Sequence, residues 1–90
     1  MNRTNSEYEY FLNILLGIEF KRQRLFRSLS MEELCSKNQL DEKELEEFEQ
    51  GSAPISATSL YSLCNALDIP LDEFYKAALE EANFSPTGSC

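Results

Sequence analysis

From Asp41 to Glu49 the chain reads DEKELEEFE, six carboxylates with one lysine among them. Carboxylates at this density can complement the positive end of a helix, each contributing ~0.3–1 kcal/mol, or they can present a negative face to a basic partner. The first role fits Asp41, Glu42 and Glu44 at the head of the segment. It does not fit Glu46, Glu47 and Glu49 near the other end, where a helix dipole disfavours negative charge. The cations lie elsewhere, with Lys21, Arg22, Arg24 and Arg27 close together. At about 100° per residue they form a broad band rather than a stripe. Such a band either neutralises the acidic segment within the fold or touches phosphate, and Lys21, Arg22 and Arg27 are the candidate phosphate contacts. Catalysis finds no foothold: there is no histidine, no glycine-rich phosphate loop, no nucleophile elbow and no Cys/His metal spacing. The chain reads as a non-enzyme without cofactor, metal or small-molecule substrate.

These side chains have to be positioned by helices. Strand signals are nearly absent and apolar residues recur at three and four, which predicts an all-α fold of five helices. Helix 1 is expected from Ser6, as N-cap, to Ser28, with Tyr8, Phe11, Leu12, Leu15 and Leu16 on a stripe continued by Leu25 and Leu29. Ser30-Met31-Glu32-Glu33 is a capping box that opens helix 2, about Met31 to Lys37. Asn38-Gln39-Leu40 forms a turn, and Asp41-Glu42-Lys43-Glu44 repeats the cap logic at the head of helix 3. That helix ends at Gly51, which suits a left-handed C′ position. After a loop containing Pro54, Ser56 caps helix 4, about Ala57 to Leu67, with Leu60, Leu63, Cys64 and Leu67 inward. Asp68-Ile69-Pro70 breaks the chain before helix 5, Leu71 to about Asn83, whose apolar positions are Leu71, Phe74, Tyr75 and Leu79. Two caps eleven residues apart thus frame two short helices and a tight turn, a helix-turn-helix. Residues 1–12 read as an N-terminal extension of helix 1, 13–83 as the helix-turn-helix domain, and 84–90, which lack periodicity, as a disordered tail.

Ninety residues make one domain. Sixteen acids against eight bases give a net charge of −8, the reverse of the balance usual in a free nucleic-acid binder, whose affinity rests on phosphate contacts. No apolar run approaches the ~20 residues that span a bilayer, and no secretory signal is present, so a cytoplasmic location and no membrane partner are expected. The three cysteines are odd in number and far apart, which supports neither a disulfide framework nor a zinc site. Cys35 and Cys64 fall on apolar helix faces, where a reduced thiol behaves as a small hydrophobe.

One ordered set of residues carries more than composition does: Leu16-Gly17, Phe20, Arg24, Leu29-Ser30, Glu32-Glu33-Leu34, Leu40, Leu45, Phe48-Glu49-Gln50-Gly51, Ile55-Ser56-Ala57, Leu60, Leu63, Ala66-Leu67 and Ile69-Pro70-Leu71. In order and spacing it resembles the Cro/lambda-repressor-like helix-turn-helix family, also called the xenobiotic-response-element type, over about Leu16 to Phe74. The phrase EQGSAPISATSLYSLCNALDIP looks much like the variant common in alphaproteobacterial members. The resemblance implies a five-helix Cro/lambda-repressor-like bundle, here with an extended first helix, whose third helix enters the major groove of DNA, usually as a homodimer on a two-fold operator. It also implies a structural pair, Arg24 on helix 1 with Glu49 at the end of helix 3. The sequence departs from the family at two places. Met31 stands where a phosphate-touching glutamine is frequent, and the head of helix 3, usually small, polar or basic, is acidic here.

The cost of that acidity can be bounded. A carboxylate ~8 Å from a phosphate in water-like dielectric is repelled by ~0.5 kcal/mol, so five would oppose docking by ~2–3 kcal/mol before screening. Two functions follow for the same fold. The first is a small transcription regulator, an operator reader by its fold, that offers Asp41, Glu42, Lys43, Glu44, Glu46 and Glu47 to the groove. The second is a protein-binding module, an antirepressor, antiactivator or heterodimer partner, that presents those residues to a basic protein surface and leaves DNA alone. In either case Tyr10, Phe11, Leu15, Phe74 and Tyr75 are expected to form a homodimer or partner surface, because so small a domain cannot easily bury them all.

Overall fold

The computed structural model describes residues 2–83, and the side chains of 7–81. The tail 84–90, with Cys90, lies outside the described residues. Five helices follow in order: α1 Asn2–Phe26, α2 Met31–Asn38, α3 Glu42–Gln50, α4 Ala57–Ala66 and α5 Leu71–Asn83, with no strand among the described residues. Helix α1 starts at Asn2, so Ser6 lies inside the helix and is not its cap. It ends two residues before Ser28, which takes a left-handed conformation (φ 57°). The Leu29 amide reaches back to the Arg24 carbonyl at 3.2 Å, the closing bond of a Schellman motif with serine where glycine is usual.

The interior helix starts follow the capping rules. The Ser30 hydroxyl accepts from the Glu33 amide at 3.0 Å, and the Glu33 carboxylate accepts in return from the Ser30 amide at 3.0 Å. Asp41 caps α3 by accepting from the Lys43 amide at 3.1 Å. The second box is only half made, however, because Glu44 does not return to Asp41. Ser56 caps α4 through the Ser59 amide. Gln39 (φ 56°), Gly51 (φ 77°) and Asp68 (φ 61°) end α2, α3 and α4 with left-handed residues that turn the chain sharply.

The core is built where α1 crosses α3 and α5. Phe20 of α1 lies between Phe48 of α3, centroids 6.3 Å apart, and Phe74 of α5, 6.1 Å away and nearly edge-on at 78°, a favoured aromatic geometry. Leu15, Leu16, Leu34, Leu45, Leu60, Leu63, Leu67 and Ala78 belong to the same buried cluster. Gly17 brings α1 against α3: a Cβ there would sit inside contact distance of the Phe48 carbonyl oxygen. Cys35 and Cys64 are buried in the same core. Burial pushes the Cys64 thiol up to about 11, and burial followed by the charges of Glu42, Asp41 and Glu49 raises Cys35, so both stay protonated and inert.

Candidate nucleic-acid or partner interface

Helix α3 sets the six carboxylates into different environments. Leu45, Phe48 and Glu49 form its buried face. Glu49 accepts a fork from Arg24, Nε to Oε2 and Nη2 to Oε1, both at 2.8 Å. Both side chains are nearly sealed, at 7% and 1% exposure, and Arg24 Nη1 also donates to the Leu29 carbonyl at 2.8 Å. The hydrogen bonds to Glu49 raise the Arg24 pKa against the opposing effect of burial. One guanidinium therefore ties α3 to α1 and to the end of the α1–α2 turn.

Glu44 is drawn the other way. Its Oε1 accepts from the Ser59 hydroxyl at 3.2 Å, and its Oε2 lies 3.5 Å from the Ser56 amide, so it sits on the positive N-terminus of α4. With Asp41 engaged as a cap, three of the six carboxylates serve the fold. The sequence gives no sign of the Glu44 link, which depends on where α4 docks. The outer face of α3 is then the i, i+3, i+4, i+7 set Lys43, Glu46, Glu47 and Gln50, with exposed Glu42 beside it. Glu47 is half-buried, and Gln50 Nε2 donates weakly to Glu46 at 3.4 Å. Gln50, not singled out among the sequence candidates, shares this face with the only lysine of the helix.

The basic band does not neutralise α3 as a unit, since only Arg24 reaches it. Arg27 donates to the Gln23 side chain at 2.7 Å and Lys21 is exposed. Arg22 is held over the cleft between α1 and α5. There the Glu19 carboxylate, fully buried, accepts from Arg22 Nε at 3.1 Å, Arg22 Nη2 at 2.8 Å and Gln23 Nε2 at 2.6 Å. Glu81 of α5 enters the same cleft, its buried Oε2 accepting no hydrogen bond and 3.9 Å from Arg22 Nε. Burial, and after it the hydrogen bond to Glu19 and the charge of Glu19, push the Glu81 carboxyl up to about 7, with Arg22 opposing. Burial alone would raise Glu19 as well, but hydrogen bonds from Arg22, Glu81 and Gln23 outweigh it and hold Glu19 low. A protonated Glu81 donating to an ionised Glu19 accounts for both directions. Sequence reading missed this cluster, because nothing local marks Glu81 as facing Glu19.

Two members of the expected association surface are corrected. Phe74 is 1% exposed, packed edge-on to Phe20, and Leu15 is 7% exposed on the core side of α1. Tyr10, Phe11 and Tyr75 are on the surface. Among the described residues no helix is long and apolar enough to cross a membrane, and no cluster of His, Cys, Asp and Glu is placed to hold a metal ion.

No protein-family model matches the sequence, and no curated protein matches it. Solved structures do match. The crystal structure of the clp gene regulator ClgR from C. glutamicum is 25% identical, with TM-score 0.70 over 77% of this chain and 88% of that one. A point mutant of the restriction-modification controller protein C.Esp1396I is 23% identical, with TM-score 0.75 over 82% of this chain and 94% of that one. The C.Esp1396I tetramer in complex with its natural 35 base-pair operator is 24% identical, with TM-score 0.71 over 79% and 93%. The fold is the five-helix helix-turn-helix bundle of the Cro and controller-protein type.

Proposed function

We propose that this chain is a DNA-binding transcription regulator that acts as a homodimer in the cytoplasm, with the outer face of α3 offered to the major groove. The observation that carries this reading is the disposition of the acids. Asp41 and Glu44 are engaged at helix N-termini and Glu49 is sealed by Arg24, which leaves Lys43 and Gln50 flanked by Glu42, Glu46 and Glu47. Three carboxylates ~8 Å from phosphate oppose docking by only ~1.5 kcal/mol before screening, well below the ~4 kcal/mol or more that separates specific from non-specific sites. Glutamine can read adenine through N6 and N7, lysine can reach guanine, and glutamate can accept from cytosine N4. Lys21 and Arg27 remain available for phosphate contacts that set position without reading sequence. Regulators with this fold, one of them solved on its operator, support the same reading.

The test is a selection from random and genomic DNA, followed by titration of the selected site across salt. Binding should fall as salt rises through counterion release, weaken in Lys21→Gln and Arg27→Gln, and tighten in the Glu46→Gln/Glu47→Gln double variant. The competing reading, a module that presents Glu42, Glu46 and Glu47 to a basic protein, draws support from the net charge of −8. It predicts no selected site at any salt, and loss of partner capture in the same double variant.

A further inference from the structure

Along the outer side of α1, Tyr8, Phe11, Leu15, Ile18, Arg22 and Leu25 repeat at intervals of three and four, the heptad seam of a two-helix coiled coil. Leu15 is turned into the core at the floor of the seam, while Tyr8, Phe11, Ile18 and Leu25 are 45–69% exposed. The seam runs ~26 Å at 1.5 Å per residue. Half or more of Tyr8, Phe11 and Leu25 is open, and Ile18 borders the cleft between α1 and α5. An apolar seam of this length on a small acidic domain calls for a partner, and two features identify which.

The first is the seam's one charged member. In a parallel pair of α1 helices Arg22 would oppose Arg22 of the other copy at a core position, and the two cations would repel. In an antiparallel pair, with its two-fold axis passing between positions 16 and 17, Arg22 lies across from Phe11 and Tyr8 from Leu25, while Leu15 stays in its own core. A guanidinium over a phenyl ring is attractive, and Glu19 already fixes the Arg22 side chain by two hydrogen bonds while 64% of it stays exposed. The second is the polarity of the helix. Glu7 and Glu9 outnumber Arg3 in the N-terminal part, and Lys21 and Arg22, with Arg27 just beyond the helix end, outnumber Glu19 in the C-terminal part. Antiparallel pairing sets the acidic end of one copy beside the basic end of the other, and parallel pairing sets like against like.

We infer that the seam Tyr8 to Leu25 is the homodimer interface, closed by the α1 helix of a second copy running antiparallel. This deepens the homodimer of the proposed regulator and rests on that reading, but its readouts do not involve DNA. Sedimentation of the full chain should show a micromolar dimer, and Ile18→Lys should weaken it about tenfold or more with helix content unchanged by circular dichroism. In a Cys90→Ser background, oxidising a mixture of Tyr8→Cys and Leu25→Cys proteins should yield the mixed covalent dimer in preference to either self-linked one. A monomer at every concentration, a dimer indifferent to Ile18→Lys, or self-linked Tyr8→Cys dimers as the main product would each overturn the inference. Operator binding can be measured independently, so a failure of this interface and a failure of the regulator reading are separable.

Discussion

Arg24 in the last turn of α1 and Arg27 just beyond its end stand three residues apart, yet their environments differ completely. Arg24 and Glu49 form a sealed fork, and removing one partner would leave the other charge buried without compensation. Arg24→Ala should therefore lower stability by ~3 kcal/mol, while Arg27→Ala, an exposed side chain whose partner is the uncharged Gln23, should stay within ~0.5 kcal/mol. Urea denaturation of the two variants checks this, and equal midpoints would contradict it. Glu81 supplies a pH dependence with a definite sign. Its carboxyl titrates at about 7 in the fold against an ordinary 4.5, so between those values the folded chain binds more protons than the unfolded one, and this group's contribution to stability falls as pH rises through that window. Glu19, held low, acts oppositely: its stabilisation is present above 4.5 and is lost as pH falls toward its own lower value. Glu81→Gln should abolish the decline above 4.5 and leave the variant more stable than the parent at pH 8. Parallel stability curves for the two proteins would remove the shared proton from the account.

Between elements, α1 comes close against α3 at Gly17. In an exposed helix interior, glycine to alanine stabilises by ~0.5–1 kcal/mol. Here the added methyl would meet the Phe48 carbonyl, which is backbone and cannot swing aside. Gly17→Ala should therefore destabilise, and a gain in melting temperature would show that α1 can lift off α3 without loss. The helix order and the turn between α2 and α3 were legible in the sequence, because Ser30, Asp41, Ser56 and Gly51 act within a few residues of themselves and their chemistry is local. The carboxylates were not legible in the same way. Glu44 resembles a capping-box glutamate and instead bonds Ser59, fifteen residues away, and Glu19 meets Glu81 only because α5 returns along α1. Phe74 and Tyr75 are adjacent in sequence and separated by about 100° around the helix, so the first fills the core and the second sees solvent. Periodicity alone does not say which edge of an apolar stripe is covered.

For the molecule as a whole, a charge of −8 on ninety residues is a source of self-repulsion. Compactness concentrates it, and unfolding relieves it. Thermal stability should rise as sodium chloride is added from ~10 mM to ~150 mM, over which the Debye length shortens from ~30 Å to ~8 Å. A flat response would mean that the internal pairs of Arg22 and Arg24 already cancel the unfavourable field. The same salt range weakens binding to DNA, so the two effects oppose each other in any binding assay and have to be measured separately.

Three of the turns joining these helices rest on Ser28, Gln39 and Asp68 in left-handed backbone. A side chain in that conformation costs ~1–2 kcal/mol in a chain of L-residues, and glycine would relieve it at a smaller cost of ~0.5–1 kcal/mol from added freedom in the unfolded chain. The protein thus holds an unused reserve of heat resistance at positions outside the outer face of α3. Combining Ser28→Gly, Gln39→Gly and Asp68→Gly should raise the melting temperature by several degrees in a domain of this size, giving a hardier scaffold on which substitutions in α3 could be explored without losing the fold.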